Sequence, residues 1–99
     1  MIIINGTVRI PPGSLDQVRP AMELMLAGSR AEDGCLRYAY ALDVLDDGLV
    51  HVVEAWRDRA ALDAHFQTPH MARWRASFAA LGITDRDLAL YQTDEGTPV

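Results

Sequence analysis

An α+β fold built on an antiparallel sheet is what this 99-residue chain predicts. Three observations lead there: four stretches alternate apolar and polar residues with period two, helical stripes follow the first and third of them, and a turn-rich run separates the second from the third.

The first strand runs from Ile2 to Ile10, with Ile2, Ile4, Gly6, Val8 and Ile10 on one face and Ile3, Asn5, Thr7 and Arg9 on the other. Pro11-Pro12-Gly13 ends it, because proline cannot donate to a sheet ladder. Ser14 with Gln17 three residues on has the form of a capping box, and the helix behind it carries Leu15, Val18, Met22, Met25 and Leu26 on one stripe to about Glu32. Pro20 lacks the N–H that bonds four residues back, so this helix either starts after Ser14 or bends. Gly34 is expected to close it at positive φ.

Cys35 to Leu42 returns to period two, with Leu36, Tyr38, Tyr40 and Leu42 sharing a face. Asp46-Asp47-Gly48 predicts a tight hairpin with positive φ, leading into a strand from Leu49 to Arg57 on which Glu54 and Trp56 project together. Asp58 caps a helix from Ala60 to Phe66, and Thr68-Pro69 starts a second helical piece whose stripe is Met71, Trp74, Phe78 and Leu81 before Gly82 stops it. The last strand is expected at Asp87 to Thr93, giving a domain over residues 1–93 and a polar tail over 94–99. The order βαββαβ is ferredoxin-like, with helices on one sheet face and the other face left to be covered.

A formal charge of −5, with arginines scattered among acids and no lysine, argues against nucleic-acid binding, which needs a basic patch to displace phosphate counterions. The single cysteine, Cys35, excludes an internal disulfide and reads as a packed small residue. The opening Met-Ile-Ile-Ile-Asn-Gly has neither the basic region nor the apolar length of a signal peptide, and no segment reaches membrane-spanning length, so a cytoplasmic protein without membrane contact is expected. A chain this short buries a modest fraction of its surface, and with 49% hydrophobic residues a homodimer is the expected remedy.

Three motifs carry a family likeness: Gly-Cys-Leu-Arg-Tyr over 34–38, Val-Val-Glu-Ala-Trp over 52–56, and Leu-Asp-Ala-His-Phe-Gln-Thr-Pro-His-Met over 62–71. Together they resemble the antibiotic biosynthesis monooxygenase family, and within it the small bacterial quinol monooxygenases. The resemblance implies a dimeric α/β barrel that oxidises a quinol or polyphenolic aromatic substrate with O₂ and needs no cofactor, neither metal nor flavin. Related haem-degrading enzymes share an Asn on the first strand, matched by Asn5, but their helical Trp and haem-ligating His fall here at His65 and near Arg75, which disfavours haem chemistry.

Within that frame His65 is the candidate general base, since an ordinary imidazole accepts a phenolic proton at neutral pH. Asn5 is a candidate donor to a substrate or superoxide oxygen, Trp56 a stacking surface or barrel packing, Tyr38 and Tyr40 sources of hydroxyl hydrogen bonds. Glu54 is expected to orient His65 or Arg37, or to form an ion pair at a dimer interface. His65 and His70 are separated by about 140° on an ideal helix, so no metal site is expected. Two other readings stand beside the monooxygenase: a non-redox isomerase or degradative enzyme of the same barrel, with Arg37, Arg57 or Arg73 holding an anionic substrate, and a non-enzymatic dimer that binds an aromatic ligand.

Overall fold

Alternation in the first strand decides how everything else is placed: Ile2, Ile4, Val8 and Ile10 are buried under the helices, and the strand that carries them lies inside the sheet rather than at its edge. The structure is a computed structural model describing residues 1–99. Its elements are β1 (Ile2–Arg9), α1 (Leu15–Arg30), β2 (Cys35–Leu42), β3 (Leu49–Trp56), α2 (Arg59–Phe66), α3 (Pro69–Ala76), α4 (Phe78–Leu81) and β4 (Thr84–Gln92). The four strands are ordered β2-β3-β1-β4, and all neighbours are antiparallel. This is the ferredoxin-like arrangement, with the second helical segment divided into three. No helix is long and apolar enough to cross a membrane.

Register sets the rows of side chains that face the helices. Leu90, Ile4, Glu54 and Tyr38 stand opposite one another across the four strands, so a carboxylate and a phenol sit in an otherwise apolar row. α1 covers this face with Val18, Met22 and Met25, and α2 and α3 add Leu62, Met71 and Trp74. Fully burying such a side chain stabilises the fold by roughly 1.5–3 kcal/mol.

Several local expectations change. Pro20 lies inside a helix that is unbroken from Leu15 to Arg30. Ser14 is the residue before the helix, yet its hydroxyl makes no capping bond. Gly48 is absent from the positive-φ residues; the turn is held instead by Asp46, whose side chain accepts from the Gly48 N–H at 3.0 Å. Pairing shifts between Cys35 and Arg37, so Leu36 is a bulge residue that ends up 58% exposed while Cys35 packs on the core. β4 begins at Thr84, three positions before the predicted Asp87.

Candidate active site

Three chain segments meet where α1 ends and α2 gives way to α3. After α1 the chain turns through Glu32, and Gly34 adopts φ +84 to enter β2. A side chain at Gly34 would stand 2.6 Å from the Cβ of Ala61, so the glycine also lets α2 lie against this turn. α2 itself is fixed by Asp58, whose carboxylate accepts from the Ala61 N–H at 2.9 Å. Its last turn carries His65, fully buried.

The helix stops there for a local reason. Thr68 donates its hydroxyl to the His65 carbonyl at 2.8 Å and accepts from the Met71 N–H, and Pro69 opens α3. The break redirects the chain and brings His70 back towards α1. Glu32 Oε2 then accepts from His65 Nδ1 at 2.6 Å and from His70 Nε2 at 2.9 Å. The expectation that these histidines do not converge is therefore corrected: the ideal-helix angle does not apply across the break at Thr68-Pro69, and the donor atoms of Glu32, His65 and His70 lie within 4.8 Å of one another.

A carboxylate only accepts, so each imidazole turns an N–H towards Glu32. Neutral His65 thus holds its proton on Nδ1 and keeps a lone pair on Nε2. That nitrogen lies 3.5 Å from the Tyr38 hydroxyl, and both residues line a cavity of about 250 Å³ with Tyr40, Glu54, Arg59 and Arg86 and an apolar remainder that includes Ile4, Met71 and Leu88. Burial pushes the His65 imidazole below its ordinary value, and the Glu32 carboxylate pulls in the opposite direction. Burial also raises Glu54, against the hydrogen bond it accepts from Trp56, and drives the Tyr38 and Tyr40 hydroxyls upward, so both remain protonated donors. The site therefore offers one neutral proton acceptor among hydroxyl donors.

The structure groups the predicted residues differently from the sequence. His65, Tyr38, Tyr40 and Glu54 share the cavity wall. Asn5 does not join them: it is exposed on the opposite sheet face, because Ile4 and not Asn5 takes the inward position of β1. Arg37 is likewise exposed on β2 and touches neither His65 nor Glu54. Trp56 is buried and does not line the cavity; its ring centroid lies 4.6 Å from that of His65 and its indole N–H donates to Glu54 at 3.0 Å, so it packs against the histidine. Glu54 is the partner of that indole and not of His65 or Arg37. Of the other two candidate cations, Arg57 pairs with Asp33 and Asp58 at the surface and Arg73 lies away from the cavity beside Leu24 and Met25 of α1; the arginines that line the cavity are Arg59, itself paired with Asp63 at 2.9 Å, and Arg86. Glu32 was missed, and its only sequence signal is its place in the turn that Gly34 closes.

The family model described as antibiotic biosynthesis monooxygenase matches residues 1–77. "Putative monooxygenase Rv0793" of Mycobacterium tuberculosis is 34% identical over 70 residues, covering 71% of this chain and 68% of that protein. The uncharacterized protein sll1783 of Synechocystis is 29% identical over 94 residues, 95% of this chain, which spans 64% of that protein's length. A crystal structure from Deinococcus radiodurans has the same fold, with a TM-score of 0.89 over 100% of this chain and 98% of that one at 24% identity.

Proposed function

The chain belongs to the antibiotic biosynthesis monooxygenase family, and we propose that it oxidises a quinol or polyphenol with O₂, using His65 Nε2 as the proton acceptor. The observation that carries this reading is a buried imidazole whose Nδ1 is engaged by Glu32, whose Nε2 lies 3.5 Å from the Tyr38 hydroxyl, and which together with Tyr38 lines a cavity of about 250 Å³. A carboxylate that holds one imidazole nitrogen fixes the tautomer of the other and stabilises the imidazolium formed when a proton arrives.

A phenolic O–H bound beside Tyr38 transfers its proton to Nε2, and the resulting phenolate is an electron-rich anion able to reduce O₂. Tyr38 and Tyr40 donate to the developing oxyanion, and Arg86 supplies positive charge at the same wall, Arg59 being paired with Asp63. For a simple quinol the balance needs no external reductant: one O₂ is consumed, one oxygen atom enters the ring, two substrate hydrogens leave with the other oxygen as water, and the product is a hydroxyquinone. Holding the organic and oxygen radicals together in a closed space is the remaining task. The bare sheet face, with Asn5, Arg37 and Tyr91 on it, fits coverage by a second copy.

Arg86 at the cavity also favours a second reading, an O₂-independent isomerisation of an anionic substrate with His65 moving the proton. Aerobic incubation of metal-free protein with a panel of hydroquinones, followed by an oxygen electrode, separates the two. We expect O₂ uptake that falls roughly 10²–10⁴-fold in His65→Ala, the range a positioned base contributes. Turnover unchanged in His65→Ala, or turnover without O₂, would remove the monooxygenase mechanism.

A further inference from the structure

We propose that Glu32, His65 and His70 form a binding site for one divalent transition-metal ion. Their three donor atoms, a carboxylate oxygen and two imidazole nitrogens, lie within 4.8 Å of one another and come from the α1–β2 turn, α2 and α3. All three side chains are withdrawn from solvent, at 13%, 1% and 16% exposure. An ion bound about 2.0–2.2 Å from each donor keeps the donors roughly 3–3.5 Å apart, so the present contacts of 2.6 and 2.9 Å need open by less than 1 Å.

The surroundings are shaped for this arrangement. Gly28 lies inside α1, where glycine is disfavoured, and a Cβ there would stand 2.7 Å from Cγ and Nδ1 of His70. The helix thus gives up a side chain to admit that imidazole. Thr68 holds the break that turns the two histidines to one point. Two nitrogens and one carboxylate oxygen suit zinc, cobalt or ferrous iron and do not suit calcium or magnesium, which take oxygen ligands. Three protein ligands leave at least one position for water or another molecule.

Proton bookkeeping is closed. Glu32 accepts an N–H from each ring in the metal-free form; on binding, the His65 proton moves from Nδ1 to Nε2 and the His70 proton from Nε2 to Nδ1, and both rings stay neutral. One consequence rests on the reading given under Proposed function: a metal on Nδ1 leaves Nε2 protonated, so the occupied form cannot accept a proton from substrate.

The test reads binding and not turnover, so its failure leaves the proton-acceptor mechanism standing, and failure of that mechanism leaves the metal site standing. Tag-free, chelator-treated protein is titrated with Co²⁺ and followed by visible d–d absorption. We expect one Co²⁺ per chain, displaced by Zn²⁺, with affinity lowered more than about 100-fold in His70→Ala, beyond what loss of an outer-sphere partner costs. His51→Ala, which alters the surface pair with Asp43, should bind as the parent does. Far-UV circular dichroism checks that His70→Ala is folded; should it not fold, Glu32→Gln, of nearly the same shape, replaces it with the same expectation. Absence of a Co²⁺ band in folded parent protein, equal affinity in the folded ligand variant, or loss of binding in His51→Ala would overturn the proposal.

Discussion

Two histidine–carboxylate pairs in this molecule have almost the same geometry and opposite surroundings. His65 lies 2.6 Å from Glu32, with the two side chains 1% and 13% exposed; His51 lies 2.7 Å from Asp43, at 52% and 28%. At the surface the His51 hydrogen bond holds Asp43 below the ordinary carboxylate range. In the interior burial lowers the His65 imidazole despite the facing carboxylate. The distance is common to both; what makes one pair a candidate for chemistry is the dry wall behind it and the cavity in front. Trp56 and Tyr38 supply both, with ring centroids 4.6 and 5.3 Å from that of His65.

The sharpest way to break this contrast is to neutralise each carboxylate. Glu32→Gln should lower kcat by about tenfold or more, a part of the 10²–10⁴ that a positioned base supplies. Because Glu32 raises the His65 value, the acid limb of the rate profile should also move to lower pH, a change that a merely structural role would not produce. Asp43→Asn should alter neither rate nor profile. Equal losses in both variants would mean that the difference in burial has no bearing on function.

A smaller effect is expected at Glu54, the other buried carboxylate, which has an indole for a partner in place of a histidine. Its folded value lies above the ordinary 4.5, so the native state favours the protonated form and loses stability as pH rises through the interval between the unfolded and folded values. Glu54→Gln should therefore melt higher than the parent at pH 7, with the gap closing as pH falls towards 4.5. A lower melting temperature at pH 7 would show that the charged carboxylate is well stabilised in place.

The comparison also shows what the sequence could disclose. Strand faces were legible because period two is a local property: Ile4, Tyr38, Tyr40 and Glu54 turn inwards as their alternation requires. The capping signals of Asp58 and Thr68-Pro69 gave the breaks between helices correctly. The parity of Leu36 was not legible, since a bulge depends on how two strands pair and neither strand alone encodes it. Asn5 and Arg37 stand on the outward parity of β1 and β2, which the same alternation encodes. The convergence of His65 and His70 was obscured by treating two helical pieces as one continuous helix. Glu32 was hidden for a different reason: it meets His65 across 33 positions of sequence, and no local pattern reports such a contact.

The proposed chemistry depends on which nitrogen of His65 carries the proton. Long-range ¹H–¹⁵N correlation spectra of metal-free protein at pH 7 read this directly and need no substrate. We predict a neutral ring with the proton on Nδ1 and an unprotonated Nε2, with the population shifting towards the Nε2–H tautomer in Glu32→Ala. A protonated Nε2 in the parent protein, as the other tautomer or as imidazolium, would contradict the claim that Glu32 and burial together present a proton acceptor to the cavity.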